Sequence, residues 1–200
     1  MDSVAKGDAL ENETFTLLQR ELENGELGIV AASAKIFQKK RYFSRDREKD
    51  IIVDISIEVW PPGAENYAIL WICECKNYGH KVPVDDVEEF KAKLDQIAGK
   101  NVKGVIVTKN SFQSGAVTFA KNQGIGLARV MPKDQIQWIM HYSSEAPVEV
   151  KRPNLREFRA AFFNQNYQSE GRSFYSSYDG YLFENWRSLL AYSFKGITND

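Results

Sequence analysis

Two apolar runs separated by one turn cluster constrain this chain more than any other feature. The segments Asp50-Ile-Ile-Val-Asp-Ile-Ser-Ile-Glu-Val-Trp60 and Ala68-Ile-Leu-Trp-Ile-Cys-Glu-Cys-Lys76 are rich in β-branched and aromatic residues, and Pro61-Pro62-Gly63-Ala64-Glu65-Asn66 lies between them. Proline presets one dihedral and glycine permits positive φ, so the cluster predicts a turn and the flanking runs predict an antiparallel hairpin. A turn centred near Gly63 and Ala64 sets Asp54 opposite Glu74, with side chains roughly 5 Å apart on one face. Side chains alternate along a strand, so Lys76 falls on that face too, about 7 Å further along.

Two carboxylates held this close in a half-buried sheet repel unless a cation sits between them, and a hard divalent ion with oxygen ligands fits that requirement. Magnesium is the default. An ion held by two acids, beside a lysine that positions water and offsets developing negative charge, suits in-line attack on a phosphodiester. The bland alternative is a salt-bridged polar patch of Asp54, Glu74 and Lys76 on a solvated sheet face.

Asp54 followed by a hairpin and then Glu74-x-Lys76 resembles the PD-(D/E)xK nuclease signature, and the surroundings resemble its Mrr-type restriction endonuclease branch. Gly7-Asp8-Ala9-Leu10-Glu11 resembles the opening helix of that branch, Lys103-Gly-Val-Ile-Val-Thr108 its next core strand, and Ser111 to Leu127 its following helix and strand. Valine occupies position 53, where the superfamily name has proline. The resemblance implies an α/β fold with a restriction endonuclease-like mixed central sheet flanked by helices, core order αβββαβ. It implies a magnesium-dependent endonuclease acting on DNA, with manganese as a substitute ion. Asp54, Glu74 and the backbone carbonyl of Cys75 are the implied metal ligands. Glu11 would steer a second metal or a water, and Lys76 would orient the attacking water. Two further readings stay open: a non-cleaving nucleic-acid-binding module of the same fold, and a ribonuclease.

Composition sets outer bounds. A chain of 200 residues with 43% hydrophobic content can bury a substantial core. The sequence predicts a nuclease-like domain over residues 1–142 and an aromatic-rich, partly helical C-terminal extension over 143–200. With 26 basic and 27 acidic residues the net charge is -1, so nucleic-acid affinity requires a local patch. Lys39, Lys40, Arg41, Arg45 and Arg47 form one, interleaved with Phe37, Tyr42 and Phe43 and leading into the Asp54 strand. Lys109, at the end of a later strand, is a further candidate for phosphate contact. A solvated charged face, offset by Asp46 and Glu48, is the ordinary explanation of the patch.

Cys73 and Cys75 are the only cysteines, and alternation puts both on the face opposite Glu74, as small core residues rather than a disulfide or zinc site. The first residues lack an apolar signal region and no run of about 18 apolar residues exists, so a cytoplasmic, membrane-free protein is expected. Double-strand cutting would favour a homodimer.

Periodicity predicts a helix from Asp8 to Asn24 stopped by Gly25, with Glu11 on its apolar stripe, and a first strand somewhere within Ser33 to Phe43. It predicts a helix from Val84 to Ala98 stopped at Gly99, with Gln96 a candidate auxiliary residue, then a strand, a helix from Ser111 to Asn122 and a strand from Ile125 to Val130. Beyond these, Pro132 to Met140, Asn154 to Asn166 and Leu182 to Phe194 read as helices, and Ser169 to Gly180 as loop. The clustered aromatics of this region are expected to cover the core or to serve dimerisation. Arg152, Arg156 and Arg159 beside them offer the alternative of a base-stacking platform. His80 and His141 are isolated.

Overall fold

The computed structural model describes residues 3–97, 101–137 and 155–194. The chain opens with α1 (Ser3–Glu23), then β1 (Ala34–Gln38), β2 (Arg41–Ser44), β3 (Lys49–Ile52), β4 (Ile55–Val59) and β5 (Ile69–Lys76). Next come α2 (Val84–Gln96), β6 (Val102–Thr108), α3 (Ser114–Asn122), β7 (Ile125–Val130) and the short β8 (Ile136–Gln137). The described C-terminal part consists of α4 (Leu155–Phe163), β9 (Ser169–Glu170), β10 (Phe174–Tyr178), β11 (Tyr181–Phe183) and α5 (Trp186–Ser193).

Seven strands form one mixed sheet in the order β1-β4-β5-β6-β7-β10-β11. β1, β4 and β5 are mutually antiparallel, β5, β6 and β7 run parallel, and β10 and β11 close the far side antiparallel. Helices cover both faces, as a largely apolar central strand requires. Leu70, Ile72 and Ile106 pack on one face with Phe90 of α2, Ala116 of α3 and Phe158 of α4. Trp71, Cys73 and Val105 pack on the other with Leu18 of α1 and Leu190 of α5.

Local sequence explains the punctuation. Gly25, at φ +72°, ends α1, with Gly25 N–H bonding Leu22 O and Glu26 N–H bonding Glu21 O, the paired closure that a left-handed glycine allows. β4 and β5 pair Ile55 with Cys73 and Val59 with Ile69, the register expected from a turn at Gly63. Gly126 of β7 permits close packing. A Cβ there would lie 2.6 Å from Tyr178 and 2.8 Å from Val105.

Several expectations are corrected. The run from Asp50 to Trp60 is two strands, because the chain bends at Asp54, where Lys39 N–H bonds Asp54 O and Val53 N–H bonds Lys40 O. Lys39 itself adopts φ +52°, which breaks the first strand into β1 and β2. The β2–β3 hairpin is thereby a separate two-stranded sheet, rooted at Lys39 and Asp54. α3 starts at Ser114 rather than Ser111, because Phe112 first makes a bridge with Val82. In place of a helix from Pro132, a 3-10 turn leads into β8, which pairs with β9. Ser169 to Gly180 is not loop but carries β9 and β10, since aromatic side chains alternate between the two sheet faces there. Asp179 and Gly180, at φ +50° and +81°, make the tight turn into β11. The stop at Gly99, the remainder of the Pro132 to Met140 segment, His141, Arg152 and the boundary at residue 142 lie outside the described residues.

Most aromatics of the C-terminal part are packed. Phe158, Phe162 and Tyr175 join one cluster, and Phe174, Tyr178, Trp186 and Phe194 the other. Arg129 of β7, fully buried, ties this part to the sheet. Its guanidinium donates to the carbonyls of Ala161, Asn164 and Gln165 at 2.5, 2.8 and 3.1 Å and to the Gln135 side chain at 2.8 Å. It thus caps the C-terminal end of α4. Burial pulls its pKa down to about 10, with Tyr175 and Tyr167 opposing the shift.

Candidate active site

The antiparallel run of β1, β4 and β5 brings the end of β1, the start of β4 and the end of β5 to one edge, and α1 crosses beside it. Four candidate residues therefore gather there: Glu11 from α1, Asp54 just before β4, and Glu74 and Lys76 at the end of β5. Glu11 and Glu74 are 3% and 5% exposed, so each carboxylate requires partners inside the protein.

Asp54 has one oxygen on the backbone of β5 and one on a lysine. Cys75 N–H donates to its Oδ2 at 2.8 Å, and Lys39 Nζ donates to its Oδ1 at 2.9 Å. In an extended strand the N–H and C=O of one residue point to the same side. The Cys75 carbonyl therefore also faces the Asp54 side of β5, while its sulfur lies on the α1 face with Cys73. Glu11 is held similarly. Gln38 Nε2 donates to its Oε1 at 2.9 Å, and its Oε2 pairs with the same Lys39 ammonium. Burial alone lowers the Lys39 pKa, but hydrogen bonds to Glu11 and Asp54 and the charge of both outweigh it, and the net shift is upward.

Glu74 points to the α2 face, where Lys93 Nζ lies at 2.9 Å and Lys76 Nζ at 3.3 Å from the same oxygen. Lys76 also lies 3.7 Å from Asp86, whose Oδ1 accepts from Tyr78 Oη at 3.3 Å. Asp86 Oδ2 is buried without a hydrogen-bond partner. For Lys76, burial disfavours the charge, but Glu74, Tyr78 and Asp86 together raise its pKa. Lys93 is raised in the same way, burial being outweighed by Glu74.

The basic candidates divide. Lys39 sits on Glu11 and Asp54, as described. Lys40 pairs with the buried Glu58 at 2.6 Å and lies 3.6 Å over the Phe37 ring. Lys109 pairs with Glu13 of α1 at 2.6 Å, and Arg47 bonds Gln96 at 2.5 Å. Arg41 and Arg45 are exposed on the β2–β3 hairpin, on which Phe43 and Ile52 are also exposed. His80 stacks on Tyr78 just beyond β5, with ring centroids 4.9 Å apart.

Sequence reasoning missed Lys93 and Asp86. The signal was present, because Asp86, Phe90 and Lys93 follow helical spacing and so border the stripe that carries Phe90 onto the sheet. Among the described residues no group of three or more His, Cys, Asp or Glu side chains surrounds a common point. A bound ion would therefore have a mixed set of carboxylate and backbone oxygens, the donor chemistry preferred by magnesium or manganese. One Glu11 oxygen and one Asp54 oxygen converge on the single ammonium of Lys39.

Residues 28–131 match the Mrr catalytic-domain family, described as restriction endonuclease. A crystallised repair endonuclease from Pyrococcus abyssi is similar at 19% identity and a TM-score of 0.39, over 66% of this chain and 48% of that one. A second crystallised protein, of unknown function, is similar at 14% identity and a TM-score of 0.38, over 56% of each chain. The chain thus spans about half the length of these solved structures. No curated protein matches the sequence.

Proposed function

Since the chain belongs to the Mrr-type restriction endonuclease family, we propose that it is a divalent-metal-dependent endonuclease that hydrolyses DNA phosphodiester bonds, with magnesium as working ion and manganese as substitute. The supporting observation is the gathering of Glu11, Asp54, Glu74 and Lys76 at one sheet edge, with Lys39, Lys76 and Lys93 balancing the acids. Nucleases of the PD-(D/E)xK class generally use divalent ions.

Asp54, Glu74 and the Cys75 carbonyl would hold the ion, which when bound supplies a Lewis acid for a phosphoryl oxygen. The raised pKa of Lys76 keeps its ammonium charged near neutral pH. Lys76 therefore donates, orienting the attacking water through its lone pair and offsetting charge on the phosphoryl oxygens, and does not act as the base. Lys93 restrains Glu74 from the α2 side. Glu11, whose carboxylate is fixed by Gln38, would steer a water or a second ion. Arg41 and Arg45 on the β2–β3 hairpin, with Arg47, Lys40 and Lys109 nearby in sequence or fold, would contact the DNA backbone. Residues 1–142 would form the nuclease unit and 143–200 its extension, and cutting of both strands would need a homodimer.

The test is incubation of plasmid DNA with the purified protein in magnesium, manganese or chelator. Nicking is expected with either ion and none with chelator. Asp54→Ala, Glu74→Ala and Lys76→Ala proteins should bind DNA but not nick it. Undiminished nicking by Asp54→Ala would end the assignment.

A further inference from the structure

We infer that Lys39 is a resident counter-ion of the site: its ammonium takes up the Asp54 oxygen that a divalent cation held by Asp54, Glu74 and the Cys75 carbonyl would need, together with one oxygen of Glu11, and an entering ion must displace it. This rests on the metal-dependent reading given above.

The geometry is specific to one point. Each of the two carboxylates has one oxygen tied to a fixed donor, Glu11 Oε1 to Gln38 Nε2 at 2.9 Å and Asp54 Oδ2 to Cys75 N–H at 2.8 Å. The remaining oxygens, Glu11 Oε2 and Asp54 Oδ1, both turn to Lys39 Nζ. Two converging anionic oxygens, one on a carboxylate only 3% exposed, need a positive charge whether or not a metal is present. An ammonium satisfies that need with one unit of charge, a divalent ion with two, and the two cannot share the position.

Lys39 is also built to leave. Its backbone is held at φ +52° by the bond from its N–H to Asp54 O at 2.9 Å, so the root of the side chain is fixed beside the acids. The side chain itself is 52% exposed, which gives the ammonium open solvent to swing into. Lys76 and Lys93, at 13% and 18%, lack that freedom and remain with Glu74. Displacement would place the Lys39 charge at the rim of the site, within reach of a phosphate beside the scissile bond.

The experiment is calorimetric titration of the full chain with manganese, for the unaltered protein, Lys39→Met and Lys39→Gln, with the melting temperature of each recorded in chelator and in manganese. Removing the competing ammonium should tighten manganese binding by at least about tenfold. Both variants should melt lower than the unaltered protein in chelator and recover in manganese, because the two acids lose the cation they share and then regain one. Equal or weaker manganese binding by both variants, with the unaltered protein binding normally, overturns the inference and leaves the metal-dependent reading standing. Absence of manganese binding to all three proteins, with nicking that chelator does not stop, removes that reading and the inference with it.

Discussion

At the β1–β4–β5 end of the sheet, the nearly buried acids Glu11, Glu58 and Glu74 each face a lysine; toward the other end the buried charge is Arg129, whose hydrogen bonds all go to carbonyl and amide oxygens. The lysine partners sit on flexible four-carbon stems, and the half-exposed Lys39 can give way to another cation without unmaking a helix or strand. Arg129 instead completes the end of α4, its planar guanidinium donating to four oxygens at once. The same cost of burying charge is thus met in two ways, one rearrangeable and one fixed. That difference is what the proposed catalytic edge on a rigid sheet would require.

Substitution of one group at each end separates these roles. Asp54→Ala should lower nicking on the order of 1,000-fold, at the upper end of what loss of one transition-state-stabilising group costs, while the melting temperature moves little. Arg129→Met should do the reverse. Leaving the α4 carbonyls unpaired costs about 3 kcal/mol, a fall of roughly 6–12 °C in melting temperature for a domain of this size, with nicking retained at temperatures below the transition. Equal melting losses in the two variants would erase the distinction.

Smaller changes sharpen it. Gly126→Ala pushes a methyl group into Tyr178 and Val105, which join the C-terminal strands to the central ones, and should cost about 1–3 kcal/mol by overpacking in thermal or urea melts. Gly180→Ala, at φ +81° in the β10–β11 turn, should cost about 1 kcal/mol. At the proposed catalytic edge the smallest signal is a flat one. The raised pKa values of Lys39, Lys76 and Lys93 mean that their stabilising pairs are intact below the ordinary lysine value and are lost only as pH rises through the higher folded values. From about pH 6 to 9 these lysines should contribute no slope to stability and Lys76 no inflection to the rate. An inflection in that range that shifts upward in Lys76→Arg would contradict the donor role.

The two regions also differed in how far their sequences could be read. Around Gly63, β-branched runs and a proline-glycine turn agree with each other, so the β4–β5 register follows from short-range pattern alone. The left-handed turn at Lys39 and the bend at Asp54 carry no glycine or proline, and neither could be anticipated, because they are imposed by contacts with Glu11 and β5. Lys39 was readable as basic but not as the partner of acids on α1 and β4, which are brought together only by folding. In the C-terminal part, Phe174-Tyr175-Ser176-Ser177-Tyr178 lacks a regular alternation of apolar and polar residues and so gave a weak strand signal, although Asp179-Gly180 was a hairpin turn in plain view. Arg129 gave none, since nothing in its neighbours announces that a helix will end on it.

The β2–β3 hairpin leaves the main sheet at Lys39 and returns at Asp54, its roots pinned by two backbone hydrogen bonds and its tip at Arg45 to Glu48 exposed. Length and composition at that tip can drift over evolutionary time without disturbing the residues at its base. The fold thereby offers an adjustable outrigger, open to lengthening, trimming or grafting, on a centre whose spacing stays the same.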